Sequence, residues 1–223
     1  IVIALSLMTV ILLHLQTQND VRHSCRKSLF SAQQSTAKNL SVLISLNPLA
    51  QSLRLQLRLA YLKLAVVVAN PGAEAAVLAQ IAKIQQQQIA LGEKQKVLIT
   101  QSEFVLRSGQ IQSQLAIGTA IREKARRFHP ILHLSLTSLR SGAVHLAVRP
   151  DKPGDIAPVY ELEPDFKAQQ SLQTFWKIEY SWINSSWIQK ALHWRRILIS
   201  DGCQSSIEEK AGQFRAVLNE DRF

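Results

Sequence analysis

Glycine and proline are absent from the first 47 residues of this chain. Without the two strongest local breakers, that stretch has no punctuation for tight turns, and long helices are expected there. Cysteine is almost absent as well: Cys25 and Cys203 are the whole supply, with no C-x-x-C and no metal spacing around either. They leave two readings open, a disulfide in an oxidising compartment or two small buried thiols. Acidic residues are scarce in one half only. Residues 1–130 hold 15 Lys/Arg against 5 Asp/Glu, whereas residues 131–223 hold 11 against 11, so the first part carries the whole net charge of +10. That excess is scattered, and the aromatic residues fall mostly in the neutral half. Nucleic acid is therefore not expected as a partner; a solvated face toward a membrane or another protein is. Also missing are G-x-S-x-G, P-loop, G-x-G-x-x-G, H-E-x-x-H and EF-hand strings, so no catalytic residue, metal ligand or cofactor is assigned.

What is present begins with "IVIALSLMTVILLHLQTQND". Residues 1–13 are apolar apart from Ser6 and Thr9. At 1.5 Å per residue they reach about 20 Å, against the roughly 20 residues a bilayer core requires. No small-residue cleavage site follows the run, which argues against a removable signal peptide. Beyond it, Val21, Cys25, Leu29, Ala32, Thr36, Leu40 and Leu43 keep a three-to-four spacing, one apolar stripe of a helix running to about residue 46. Arg22, Arg26 and Lys27 follow the apolar end, where headgroups would meet them. We read residues 1–47 as an anchor and assembly helix whose packing face is Val21, Cys25, Leu29, Ala32, Leu40 and Leu43. Its apolar start is either the surviving half of a membrane anchor or a processed, filament-forming end.

Asn47 and Pro48 supply a cap and a first-turn proline for a second helix. Leu53, Leu55, Leu57 and Leu59 alternate as a strand would, yet Leu49, Leu53, Leu57, Ala60 and Leu64 form a helical stripe, with Leu55, Leu59, Leu62 and Val66 beside it. The cap, the length and the leucine content favour the helix. After "NPG" at 70–72, Val77, Ile84, Leu91, Leu98 and Val105 recur every seven residues. The intermediate positions Ile81, Gln88, Gln95 and Ser102 make the seam half polar, which a coiled coil would not choose. A third helix from about Ala73 to Leu115, followed by a shorter one over 116–128, is expected to pack on the second as a hairpin spanning 48–128.

From His129-Pro130 the texture changes. "ILHLSLTSL" alternates, "RSG" turns and "AVHLAVRP" returns, a predicted β-hairpin. "APVYELEP" reads as an edge strand. Thr174, Trp176, Ile178, Tyr180 and Trp182 share one face of a further strand, and "WIQKALHWRRILIS" is its expected partner. "SSIEEKAGQFRAVLNEDRF" reads as a closing helix with Ser205 or Ser206 as cap and acidic residues in its first turn. Residues 129–223 are thus a small antiparallel sheet with a C-terminal helix, and the fold class is α+β. The hairpin would make His133 and His145 cross-strand neighbours; with no third ligand they are read as a rim pair. Asp151, Asp155, Glu161, Glu163 and Asp165 match no calcium loop and are read as solvated loop charges. The clustered Trp176, Trp182, Trp187 and Trp194 are read as sheet core, with an exposed binding surface as the alternative. Asn184-Ser185-Ser186 matches a glycosylation sequon.

The order of parts resembles type IV pilin-like proteins, and "LQTQNDVRHSCRKSLFSAQQSTAKNL" resembles more particularly the pseudopilin-like proteins of tight-adherence (Tad) pili. The resemblance implies a membrane helix followed by an extracytoplasmic domain. Location would then be the bacterial inner membrane, the periplasm or an extracellular filament, in an oligomeric assembly with other pilin-like or envelope subunits. Two departures stand: no glutamate lies within the apolar run, and the helical insert at 48–128 exceeds what a simple pilin requires. The function expected is a non-enzymatic, membrane-anchored envelope protein. The alternatives are a soluble adaptor whose first helix packs into a partner protein and an enzyme that uses the histidines.

Overall fold

The computed structural model describes residues 2–67, 70–128, 132–142, 144–166, 171–182, 196–210 and 212–218. Its fold is α+β. Helix α1 spans Val2–Ser45 and α2 spans Asn47–Val67. Only Leu46 separates them, and the backbone bonds Leu46 N–H to Leu43 O and Ala50 N–H to Leu46 O carry the chain across. Pro48, which has no N–H to give, sits where the helical ladder is interrupted anyway. Asn47 does not act as the side-chain cap expected of it. Its amide donates to Tyr160 O (2.8 Å) and accepts from Tyr160 N–H (3.0 Å), as a paired strand residue would.

Helix α3, Pro71–Phe128, returns along both. Asn70 caps it, with its side-chain oxygen accepting from Ala73 N–H. It runs unbroken through Leu115 and Gly118, where two helices were expected. Ile117 and Ile121 are buried in the core on either side of the glycine, and this anchorage outweighs the roughly 1 kcal/mol propensity cost of Gly118. The first half of α3 packs on α2 through Ile81, Ile84 and Leu91 against Leu53 and Ala60. Its second half packs on α1 through Leu106, Ile117 and Ile121.

The half-polar seam of α3 is its buried face. Gln88, Gln95, Ser102, Gly109 and Ser113 are all enclosed. Several polar or small residues on this face have a reason in three dimensions. Gln95 donates to Pro158 O (2.9 Å), and Ser113 shares a hydrogen bond with Thr174 (3.0 Å). A Cβ at Gly109 would overlap that of Ala32, and one at Gly92 would overlap Ile156 O. Backbone and sheet approach α3 where a coiled coil would place leucine.

The sheet contains β1 (Leu132–Ser141), β4 (Leu172–Trp182), β5 (Arg196–Lys210) and β6 (Gln213–Leu218) in that spatial order, every pair antiparallel. A separate ribbon pairs β2 (Val148–Pro150) with β3 (Tyr160–Leu162). Leu172, Thr174, Trp176, Ile178 and Tyr180 turn inward from β4, the parity read from the sequence. α1, the second half of α3 and the sheet share one core, in which Val21, Cys25 and Leu29 meet Trp176, Ile178 and Ile207, while α2 and the first half of α3 form a second cluster.

Two expectations are corrected. Residues 131–150 do not form a hairpin: β1 pairs with β4, and past Gly142 the chain leaves the sheet so that Leu146 and Ala147 enter the core. Residues 205–218 are not a helix either. Ser205, Ser206 and Ile207 continue β5, Gly212 (φ +75°) turns the chain, and β6 returns with Phe214 inward. The eleven-residue β4 imposes this result, because its first residue, Leu172, pairs with Ser205 and so draws the presumed cap into the sheet. A run with weak helical periodicity yields to a neighbouring edge with unpaired backbone. The proposed strand partner in 187–200 is met by β5 from Arg196 onward; residues 183–195, with Trp187, Trp194, His193 and the sequon, lie outside the described residues, as does His129.

Gly109 and Gly118 make a paired test of the helix crossing. Gly109→Val forces α1 and α3 apart and is expected to cost about 1–3 kcal/mol in urea unfolding. Gly118→Ala, with nothing within 4 Å of the new Cβ, is expected to gain up to about 1 kcal/mol.

Candidate functional site

Along α1, the residues 14, 18, 22, 25 and 33 rise at intervals that keep one face of a helix in line. That face lies on the sheet, and every one of them holds it. Cys25 and Cys203 are joined in a disulfide, with Cα atoms 6.4 Å apart and no exposure to solvent. Toward the N-terminus, Asp201 of β5 receives Arg22 in a two-pronged pair, Nε to Oδ2 at 2.8 Å and Nη2 to Oδ1 at 2.7 Å. Gln18 Nε2 donates to the same carboxylate at 2.7 Å, and Gly202 N–H at 2.8 Å. One turn further, His14 Nδ1 and the Tyr180 hydroxyl lie 3.0 Å apart. Burial lowers the His14 pKa and pushes the Tyr180 phenol up to about 12. On the other side of the disulfide, Gln33 Nε2 donates to Ser205 O at 3.2 Å. This ladder fixes the rotation of α1 about its own axis.

The stripe read as an assembly face therefore has a different role. Val21, Cys25, Leu29, Ala32, Leu40 and Leu43 are all 6% exposed or less, covered by this chain's own α3 and sheet. Periodicity reports that a face is buried, not what buries it. The apolar surface still open lies elsewhere. Met8, Ile11, Leu12 and Leu15 are about half exposed at the start of α1. Leu55, Leu59, Leu62 and Val66 form a second stripe on α2, turned away from α3, and Val97, Phe104, Ile111 and Leu115 form one on the back of α3. Among the described residues, no helix is long and apolar enough to cross a membrane.

The residues weighed for chemistry do not converge. His133 faces Ser181 across β1 and β4, while His145 lies in the segment after β1, 3.5 Å from Glu163; the two are not cross-strand neighbours. Among the described residues, no three His, Cys, Asp or Glu side chains could hold one metal ion. Asp151 and Asp155 have a structural use that sequence reading missed. Arg54 of α2 donates to both at 2.7 Å, and Asp151 also accepts from Val159 N–H, which ties the β2–β3 ribbon to the helices. The Arg54 hydrogen bond holds the Asp151 pKa down at about 2. Trp176 is core, as parity indicated. Two of the open grooves among the described residues are wide enough to bear on binding. One of about 750 Å³ lies on the outer sheet face beside Arg140, Phe175, Lys177 and Leu198. The other, of about 850 Å³, lies between α1 and β6.

Two outcomes follow from this geometry. Arg22→Met strips the Asp201 carboxylate, 4% exposed, of its cation and is expected to destabilise the fold by about 2–4 kcal/mol. The double variant Arg22→Met with Asp201→Asn should recover part of that loss, as read by chemical denaturation. Asp151 has a folded pKa below its unfolded value, so its contribution is present above about pH 4 and disappears as pH falls toward 2. Acid titration of Arg54→Gln should lack that loss, on the order of 1 kcal/mol for a pair that is still partly solvated. No family model, curated protein or solved structure matches this chain.

Proposed function

We propose that this is a non-enzymatic envelope protein: an α+β body held outside the reducing cytoplasm, carried on an N-terminal helix whose apolar end enters a membrane or a filament of similar subunits. A single observation on α1 carries the reading. One continuous helix is covalently clamped to the sheet at Cys25 and, ten residues and more earlier, leaves Met8, Ile11, Leu12 and Leu15 about half exposed. A buried structural disulfide belongs to oxidising compartments. Contiguous exposed leucine and isoleucine on a helix end belong to a surface that meets lipid or another helix. The two together favour an extracytoplasmic body with an apolar stalk, the layout that the pilin resemblance implies.

The stripes on α2 and α3 offer such a subunit lateral contacts beyond the stalk, which fits a helical insert larger than an isolated pilin requires. The adaptor alternative fares less well. It uses the Val21–Leu43 stripe to enter a partner, and that stripe already lies in the protein's own core.

Expressed with whatever precedes Ile1 in its natural chain, the protein should remain with membranes through a carbonate wash and carry no thiol that maleimide can label before reduction. Leu12→Asp together with Leu15→Asp should move a large part of it to the soluble fraction with the disulfide intact. Recovery of the unaltered protein in the cytosol, with both cysteines labelled, would overturn the reading.

A further inference from the structure

α1 and α3 run antiparallel, and two contacts set their alignment. Gly109 lies against Ala32, and Lys124 Nζ reaches Asp20 Oδ2 at 2.5 Å. Counting on from the second contact puts Arg126 and Arg127, in the last turn of α3, level with residues 18 and 17 of α1. At 1.5 Å per residue they lie within about 5 Å of Leu15 along the helix axis, and Arg122 within about 10 Å. The end of α3, far away in sequence, thus stands beside the exposed apolar face Met8, Ile11, Leu12 and Leu15.

The cations at this end outnumber the carboxylates that engage them. The last two turns of α3 hold Arg122, Lys124, Arg126 and Arg127 with a single carboxylate, Glu123. Asp20 takes Lys124, and Glu123 takes Arg127. On the sheet, Asp201 takes Arg22, and Glu179 takes Arg196 at 3.3 Å. Arg122 and Arg126 are exposed, lie four residues apart on one face of α3, and make no ion pair among the described residues. Of the residues that the sequence offered to headgroups, Arg22 is thus drawn into the sheet. Lys27 lies about 18 Å from Leu15, beyond the roughly 8–10 Å over which exposed charges act at physiological salt. The α3 dipole favours cations in its last turn, but it does not explain the opposite end of the molecule, where the charge reverses. Residues 144–166, which carry the β2–β3 ribbon, hold five carboxylates against two Lys/Arg. This segment meets α3 at Gln95, about 45 Å along the helix from Arg126.

We propose that this end of the body binds the headgroups of anionic phospholipids, with Arg122 and Arg126 meeting the phosphates while Met8, Ile11, Leu12 and Leu15 enter the layer beneath. The inference rests on the reading that the apolar end of α1 enters a membrane, and it adds the class of lipid. Apolar insertion and basic contact are the two signals that together make attachment to a membrane stable. A body with cations at its apolar end and carboxylates at the other is also turned the right way round by a negative surface. A second copy, brought head to tail, fits this end less well. Its ribbon carboxylates are already engaged, Asp151 and Asp155 by Arg54, and Glu161 stands opposite Arg149.

The test floats the whole oxidised chain with vesicles of phosphatidylcholine alone, or with about a third phosphatidylglycerol. Attachment should be at least about tenfold stronger to the anionic vesicles at physiological salt, and the difference should vanish at high salt. Arg122→Gln with Arg126→Gln should weaken attachment to the anionic vesicles about tenfold or more and leave the neutral ones unaffected. Arg58→Gln with Lys63→Gln, which removes two exposed cations from α2, should keep the preference. The proposal is overturned if both vesicles bind equally, if the α3 variant behaves as the unaltered chain, or if the α2 variant loses as much as the α3 one. In each of those cases the membrane reading itself stands. Failure to bind either vesicle overturns both. End-to-end association without lipid that the α3 variant abolishes would assign this surface to a second copy instead and overturn the proposal.

Discussion

The link between α1 and β5 is the constraint on which the other parts of this structure depend. Cys25 and Cys203 are 178 residues apart, and joining them closes most of the chain into one loop. In the chain-entropy model a loop of that length removes about 5 kcal/mol of unfolded-state freedom, with measured bridges commonly giving 2–5 kcal/mol. The bond also decides geometry. A helix 44 residues long could slide or rotate on a sheet face, but the disulfide fixes one point of α1, and the Arg22–Asp201 pair and Gln33–Ser205 bond fix its rotation on either side.

With α1 fixed, the place of α3 is largely determined. It must cross α1 at Ala32, where only Gly109 lets the two backbones come close enough, and it must offer polar side chains where strand and ribbon backbone face it. The seam that looked too polar for a coiled coil is therefore consistent with deep burial. Gln95 Nε2 is satisfied by Pro158 O and the Ser113 hydroxyl by Thr174, which offsets much of the cost of enclosing them. The β2–β3 ribbon completes the arrangement by fastening α2 through Arg54. The molecule thus has a covalent attachment near one end of its helices and an ionic one near the other.

Much of this was legible in the residues. The helical stretches, the break at Leu46–Pro48 and the inward parity of Trp176 follow from periodicity and local chemistry, which act over a few residues. The errors arose where a distant segment decided the outcome. Nothing local in "ILHLSLTSL" says that its partner is β4 rather than the next alternating run. Ser205 and Ser206 resemble a helix cap until β4 and β6 claim them as strand. The stripe from Val21 to Leu43 was read as an assembly face, because a stripe cannot name the surface that covers it. Two cysteines at such a distance gave no basis for choosing between a bridge and two thiols. The acidic residues at 151 and 155 acquired their role only when α2 brought Arg54 beside them.

The most direct test compares hydrogen exchange of the oxidised protein with that of the same protein reduced under native conditions. If α1 is held on the sheet by a ladder centred on the disulfide, reduction should speed exchange in α1 from about His14 to Gln33 and in β5 around Cys203. The α2–α3 hairpin and the β2–β3 ribbon should keep their protection. Equal protection of α1 and β5 in the two forms would contradict the account, because the helix would then be held by packing alone.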